Sequence, residues 1–437
     1  MRKPFYGWII VGVAFLIGAT EAGAFQNILS VFLKPMAGEF GWSRAIVTGA
    51  IALGSICGGI ISPFVGPILD RHGPRMVAFW GILILSAGLV SLSFLEHIWQ
   101  LYFFFGIGRM IAVGALSLVI SVTVSNWFIR RRGRAIGIAW LGAHFGSIIL
   151  PPFVLFLIFA QGWRMAWAAL GGLVFLFSGI PSLIFLRRRP EDVGLFPDGE
   201  PPVVEVSEDA MRSKGENSDS VGAIPEPLWT RAQALRTPNF WVLTLLSSII
   251  PFTQAGINFH MFPFLTDQGI TETAAVLILS AIAMFGALGG VVWGVLAERL
   301  RTQLLIAING FMSCLVIVAI FWFFKSSISG IAGALSLVII LILIGFHGIA
   351  SGGRMPLISI IWAESFGRAS LGSIYSSSSP FRFTANALGP IFAALCFDLL
   401  GSYVLPFHVF SILFLLSGII GSCIKPPQHP VPVNKEA

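Results

Sequence analysis

Apolar runs of about 20 to 30 residues follow one another along almost the whole of this 437-residue chain, separated by short polar turns. A run of that length is what an α-helix needs to cross the roughly 30 Å hydrocarbon core of a bilayer. In lipid every backbone N–H and C=O must be satisfied within the structure, so a chain that repeats such runs is restricted to a bundle of spanning helices. The composition agrees: 56% of residues are apolar and 11% charged, and the mean hydropathy is +0.87, outside the range of water-soluble globular domains. The expected fold class is an all-α membrane protein with twelve transmembrane helices.

The runs lie at approximately 6–35, 43–69, 75–95, 98–127, 135–160 and 164–186, then 238–265, 273–297, 303–325, 331–362, 371–398 and 403–425. The first follows Arg2 and Lys3 and is too long for the core of a cleaved signal, so it is expected to persist as the first span. Residues 187–237 break the pattern with 10 acidic and 7 basic residues, Pro201-Pro202 and a Ser/Glu/Asp-rich middle. That is the composition of a polar linker, disordered at its centre. The predicted organisation is a six-helix bundle over 1–186, a linker over 187–237, a second six-helix bundle over 238–425 and a polar tail over 426–437.

Of the 27 lysines and arginines, 20 lie in the head, the tail and the loops after even-numbered spans. Four lie on the other side (Lys34, Arg44, Arg164 and Lys325) and three within spans. The positive-inside rule then predicts that both termini and the linker are cytoplasmic, in the inner or plasma membrane of the cell. The net charge of +7 records sidedness and gives no reason to expect nucleic acid as a partner. Cys57, Cys314, Cys396 and Cys423 sit singly in apolar runs without metal spacing. No nucleotide-binding loop, metal-ligand helix or nucleophile elbow is present, so no enzyme activity, metal or cofactor is expected. The expected partners are the lipid bilayer, a small-molecule anion and protons, and the chain is expected to act as a monomer.

The two halves repeat weakly. Gly66-Pro-Ile-Leu-Asp70-Arg71 after span 2 recurs as Gly294-Val-Leu-Ala-Glu298-Arg299 after span 8, and Gly133-Arg134-Ala135 before span 5 recurs as Gly367-Arg368-Ala369 before span 11. Paired six-helix repeats joined by a polar loop are the layout of carriers that rock two bundles about a site at mid-membrane.

Gly66, Asp70, Arg71, Gly73 and Arg75, with His72 and Pro74 between them, resemble the loop signature of the major facilitator superfamily. Tyr6-Gly7-Trp8, Phe32-Leu33-Lys34-Pro35, Glu39-Phe40-Gly41-Trp42-Ser43-Arg44, Trp127 to Gly133, Leu371-Gly372 and Gly389-Pro390 are similar to its monocarboxylate transporter and oxalate/formate antiporter branch. The resemblance implies a twelve-helix carrier that moves a small organic anion by alternating access, with a proton or in exchange for another anion. It also implies that helices 1, 4, 7 and 10 line the cavity. The chain departs from the lactate carriers at decisive places. Asn27 stands where they have a lysine in helix 1, and Gly290 and Gly286 stand where they have an arginine and an aspartate in helix 8. Lactate–proton symport is therefore not implied.

A charged side chain deep in a span costs at least a few kcal/mol unless a partner, a water-filled cavity or a function holds it there. That singles out Glu21, Arg109, Arg354 and Arg382. An arginine fork matches a carboxylate with two donors, so Arg354, with Gly352 and Gly353 beside it, is the first candidate clamp. Arg382, in a run with Ser376 to Ser379 and Asn386, is the second. Either arginine has a bland alternative, permanent pairing inside the protein. Glu21 and Arg109 form a structural ion pair or belong to the site, and Glu21 is the candidate proton carrier, followed by His144. Asn27, His144 and His260 complete the candidate substrate contacts. His144 and Arg382 each precede a proline, Pro152 and Pro390, by eight residues, an equivalence that lets them face each other across the repeat interface. Gly66, Asp70, Arg71, Gly73 and Arg75, with Glu298 and Arg299 as their repeats, are read as a charge latch between the halves. A carrier for neutral or cationic compounds, such as a drug exporter, and a membrane sensor without flux are the competing functions.

Overall fold

The computed structural model describes residues 5–21, 26–42, 44–200, 229–326 and 334–424, apart from the side chains of residues 26, 27, 30, 33, 34, 37, 44–46, 48, 272, 273, 276, 324–326 and 334–338. The described residues contain no strand, and eleven of their helices are long and apolar enough to cross a membrane. The first span, read as 6–35, consists of α1 (Gly7–Glu21) and α2 (Gln26–Phe40). Then come α3 (Arg44–His72), α4 (Pro74–Ser91), α5 (Ile98–Trp127), α6 (Arg132–Gln161) and α7 (Trp163–Phe185) as spans 2 to 6. A short α8 (Arg231–Leu235) precedes α9 (Pro238–Asp267), α10 (Glu272–Leu296), α11 (Thr302–Ser326), α12 (Ala334–Phe366), α13 (Leu371–Leu400) and α14 (Val404–Cys423), spans 7 to 12. Large apolar side chains such as Phe64, Phe159, Leu315 and Leu399 are exposed on the outside of the bundle, as an integral membrane protein requires.

Small residues decide which helices touch. Along α3, a Cβ added at Gly66 would collide with the Gly372 carbonyl and the Ser376 hydroxyl of α13, and one at Gly59 would lie 3.2 Å from Phe383. Nearer the other end of the same helix, Gly54 and Gly58 press instead on Arg109 and Met110 of α5. Helix α6 behaves in the same way. Its Gly133 and Gly137 meet the Gly294 and Gly290 carbonyls of α10, whereas Gly142 and Gly146 meet the Phe15 and Ala19 carbonyls of α1. The first half of the chain therefore touches the second at the end that carries Asp70 and the Arg130–Arg132 cluster, here called the basic end, and turns back onto itself toward the opposite end.

The basic end is closed by carboxylates set on helix starts. Asp70 accepts hydrogen bonds from the Gly372 and Ser373 amides at 2.9 and 2.7 Å and from the Ser373 hydroxyl at 2.6 Å. It thereby caps α13, whose own Ser370 makes no side-chain cap. Its repeat, Glu298, accepts from the Arg134 amide at 3.1 Å and the Arg134 guanidinium at 3.0 Å on α6. Of the residues read as a charge latch, Asp70 and Glu298 make contacts across the halves, while Arg71, Arg75 and Arg299 are exposed. Gly73 adopts a left-handed φ of +80° that lets α3 turn into α4.

The beginning of the linker is ordered. Asp198 accepts from the amides of Ile129, Arg130 and Arg131 at 2.8–3.0 Å, Glu200 pairs with Arg131 at 3.0 Å, and Glu191 pairs with Arg368 at 2.6 Å. The segment thus joins the loop before α6 to the loop before α13. Residues 201–228 and the tail 426–437 lie outside the described residues.

Candidate functional site

A cavity of about 140 Å³ lies where the halves meet, with walls from α1, α5, α6, α9, α12 and α13. Its charged groups are Glu21, Arg109 and Arg382, and its neutral polar groups are Ser117, Ser247, Asn386, the Tyr375 ring and Trp140. Val113, Ile250, Pro251, Met355, Ile358 and Phe383 fill the rest of the wall. On the side of the basic end, two hydroxyl pairs bridge the halves, Ser62 to Ser379 at 2.9 Å and Ser121 to Ser359 at 3.2 Å.

Arg382 is held rather than loose. Its guanidinium lies 4.1 Å from the centre of the Tyr375 ring, and Nη2 donates to Ser379 Oγ at 3.1 Å. The Nε–H is buried without a partner. A cation stacked on an aromatic face with a free in-plane donor suits an incoming anion. Arg109 sits in a six-residue α-helical segment between two π-helical stretches, Leu101–Phe105 and Ala112–Leu116, and its Nε donates to Ser55 Oγ at 3.0 Å. Such wide turns re-aim side chains and recur at functional sites. Glu21 is 2% exposed, close enough to Arg109 for each charge to act on the other, and its Oε2 has no hydrogen-bond partner.

The structure does not bring Arg354 to this cavity. Its guanidinium is fully buried between α11, α12 and α14, 4.3 Å from the Phe414 ring centre, with Nη2 donating to Ser313 Oγ at 3.1 Å. Ile250 and Ile358 line both its small void and the central cavity, and so form the partition between them. His144 and Arg382 do not meet either. His144 abuts Gly286 at the α6–α10 seam, whereas Arg382 belongs to the part of α13 that packs on α3, between Ser379 and Phe383. Their equivalent depths place them at two different interfaces. His260 is tied within the second half, with Nδ1 3.2 Å from the Tyr403 hydroxyl and Nε2 3.0 Å from the Pro390 carbonyl, and does not line the cavity. The side chain of Asn27 lies outside the described residues.

Trp140 and Tyr375 are cavity residues that the charge argument overlooks. Trp140 lies about two turns into α6, and its Nε1–H is buried without a partner.

A paired-bundle membrane protein with a central cavity that holds charged groups at the junction of its halves has the construction of a secondary carrier. Residues 13–346 match the Major Facilitator Superfamily, and the chain belongs to that family. It is 23% identical over 439 residues to the uncharacterized MFS-type transporter YcxA of Bacillus subtilis (strain 168), covering 96% of this chain and 95% of that protein. It is 26% identical over 293 residues to monocarboxylate transporter 2 of Mesocricetus auratus, covering 64% of this chain and 56% of that one. The fold is similar to that of the human organic anion transporter MFSD10 (TETRAN), with a TM-score of 0.69 at 15% identity over 96% of this chain and all of the other.

Proposed function

We propose that the protein is a secondary carrier of a small organic carboxylate, working by alternating access with proton coupling or anion exchange. The observation that carries the reading is Arg382: a guanidinium on the wall of a cavity shared by both halves, stacked on Tyr375, bonded to Ser379 and left with one buried donor unpartnered. Glu21 offsets one of the two cavity arginines, so the site keeps a net positive charge when Glu21 is ionised and a larger one when it is protonated. Anion binding and protonation of Glu21 favour each other in this arrangement, which is the thermodynamic requirement for symport of the two. The names of the relatives, a monocarboxylate transporter and an organic anion transporter, point the same way. Closure at the basic end by Asp70 and Glu298 supports a role for these residues as the latch of one transport state.

The test is flux into proteoliposomes reconstituted with purified protein, using radiolabelled carboxylates with and without an imposed pH gradient. The expected result is saturable carboxylate uptake that Arg382→Gln abolishes at normal protein yield. Uptake of neutral or cationic compounds in preference to carboxylates would replace the reading with an exporter of such compounds.

A further inference from the structure

The central cavity is more apolar than recognition of a two- or three-carbon acid requires. Its volume, about 140 Å³, is close to that of engineered apolar cavities that take up benzene. Val113, Ile250, Met355, Ile358 and Phe383 present hydrocarbon to it, and a substrate without an apolar body would leave that wall uncovered. Among the lining groups, three buried polar atoms from three helices have no partner: Arg382 Nε, Trp140 Nε1 and Glu21 Oε2. The first two are donors and suit a carboxylate. The third accepts when Glu21 is ionised and belongs to a donor-bearing group when it is protonated. A hydroxyl both donates and accepts, so it satisfies Glu21 in either state, whereas an ammonium suits only the ionised form and a ketone only the protonated one.

We infer that the cavity selects hydroxy-substituted monocarboxylates with an aromatic or branched body about the size of a benzene ring. The carboxylate meets Arg382 and Trp140, the hydroxyl meets Glu21, and the body packs on Ile358, Met355 and Phe383. This rests on the carboxylate-carrier reading and narrows it. Small acids such as lactate reach the charged groups but forgo the wall, and one methylene group alone in a fitted pocket changes recognition by roughly 10-fold or more.

Equilibrium binding to the purified full-length protein, measured by calorimetry, separates the possibilities with five probes: mandelate, 4-hydroxyphenylacetate, phenylacetate, lactate and benzyl alcohol. The expected order places a hydroxylated aromatic acid at least about tenfold tighter than both phenylacetate and lactate, with benzyl alcohol not measurably bound. Lactate binding as tightly as the aromatic acids would overturn the inference and leave the carboxylate reading in place. Phenylacetate equal to its hydroxylated counterparts would remove the hydroxyl–Glu21 contact and so overturn it as stated. Benzyl alcohol binding as tightly as mandelate would overturn the carboxylate reading itself. Met355→Trp supplies a second readout, because Met355 is 36% exposed and a larger side chain there extends into the cavity. It should weaken the aromatic acids at least about tenfold more than lactate. Unchanged affinity for the aromatic acids in the folded variant would place them elsewhere and overturn the inference.

Discussion

Arginines 354 and 382 have the same charge and nearly the same depth, yet their surroundings assign them different work. Both arginines have buried unpartnered donors, Nε of Arg382 and Nε and Nη1 of Arg354, but Arg382 lines the shared cavity, whereas the Arg354 guanidinium lies on Phe414 with Ser313 at one end. Arg382→Lys loses the planar fork and the stack on Tyr375. A hydrogen bond to a charged group is worth about 1.5–3 kcal/mol, so carboxylate affinity should fall by roughly 10- to 150-fold at normal protein yield, as calorimetry would measure. Arg354→Lys should do the reverse, lowering the thermal midpoint while leaving affinity within about twofold; a large loss of affinity there would return Arg354 to the site. Glu21→Gln should abolish accumulation driven by a pH gradient and preserve exchange of internal for external substrate, because exchange reorients the carrier only when loaded. Wild-type pH-driven accumulation by that variant would clear Glu21 of coupling. These contrasts also mark what was legible in the sequence. The cost of burying charge pointed to Glu21, Arg109 and Arg382, because that cost depends on depth alone, and depth can be counted along a span. Rotation about the helix axis cannot be counted in a helix apolar on every side, so the sequence does not separate Arg382, on the cavity wall, from Arg354, packed between α11, α12 and α14. Trp140 and Tyr375 carried no charge to betray them.

The helices were legible for a simpler reason: a spanning helix announces itself by length and apolarity, and the repeat of Asp70 and Glu298 gave the order of the halves. The chemistry of their contacts was less visible. Gly66 and Gly294 occupy equivalent repeat positions, yet what makes them glycines is a facing carbonyl, that of Gly372 for one and of Gly133 for the other. Adding a methyl group to such a contact forces helices apart and typically costs 1–3 kcal/mol. Gly66→Ala should therefore lower the thermal midpoint of the purified protein by several degrees. Gly12→Ala, on a face of α1 with nothing within 4 Å, should leave the midpoint unchanged or raise it slightly. Equal midpoints for the two variants would mean that the α3–α13 seam is not under steric control. The small residues at these seams keep the two halves in contact without side chains that interlock, and surfaces of that kind can separate and re-form as units.

At the scale of the whole molecule, closure at the basic end includes two helix starts, each capped by a carboxylate from the other half, beside the Ser62–Ser379 and Ser121–Ser359 pairs and the bond from Arg368 to the Asn126 carbonyl. Asp70 takes three hydrogen bonds at the start of α13, and Glu298 takes two at the start of α6. Amides in the first turn of a helix have no partner within it, so parting the halves exposes them and removes the favourable placement of negative charge at a helix N-terminus. The linker belongs to the same closure, because Glu191 holds Arg368 before α13 while Asp198 holds the backbone before α6. Asp70→Asn keeps the shape and loses one acceptor and the charge. A loss of about 1–3 kcal/mol from the closed form shifts the ratio of closed to open roughly 5- to 150-fold. Glu298→Gln should act in the same direction but less strongly, since its carboxylate is paired with the partly exposed side chain of Arg134. The two seams take part in one closing event through separate contacts, so the free-energy changes of the double variant should add. Maleimide labelling of a cysteine introduced at Ser121, in a protein freed of Cys57, Cys314, Cys396 and Cys423, reads the shift directly. Ser121 is 2% exposed and bonded across the halves to Ser359, so it is labelled only when the basic end opens. The labelling rate should rise in the order wild type, Glu298→Gln, Asp70→Asn, double variant. An unchanged rate in the double variant would mean that glycine packing and the linker, and not the two carboxylates, hold this end shut.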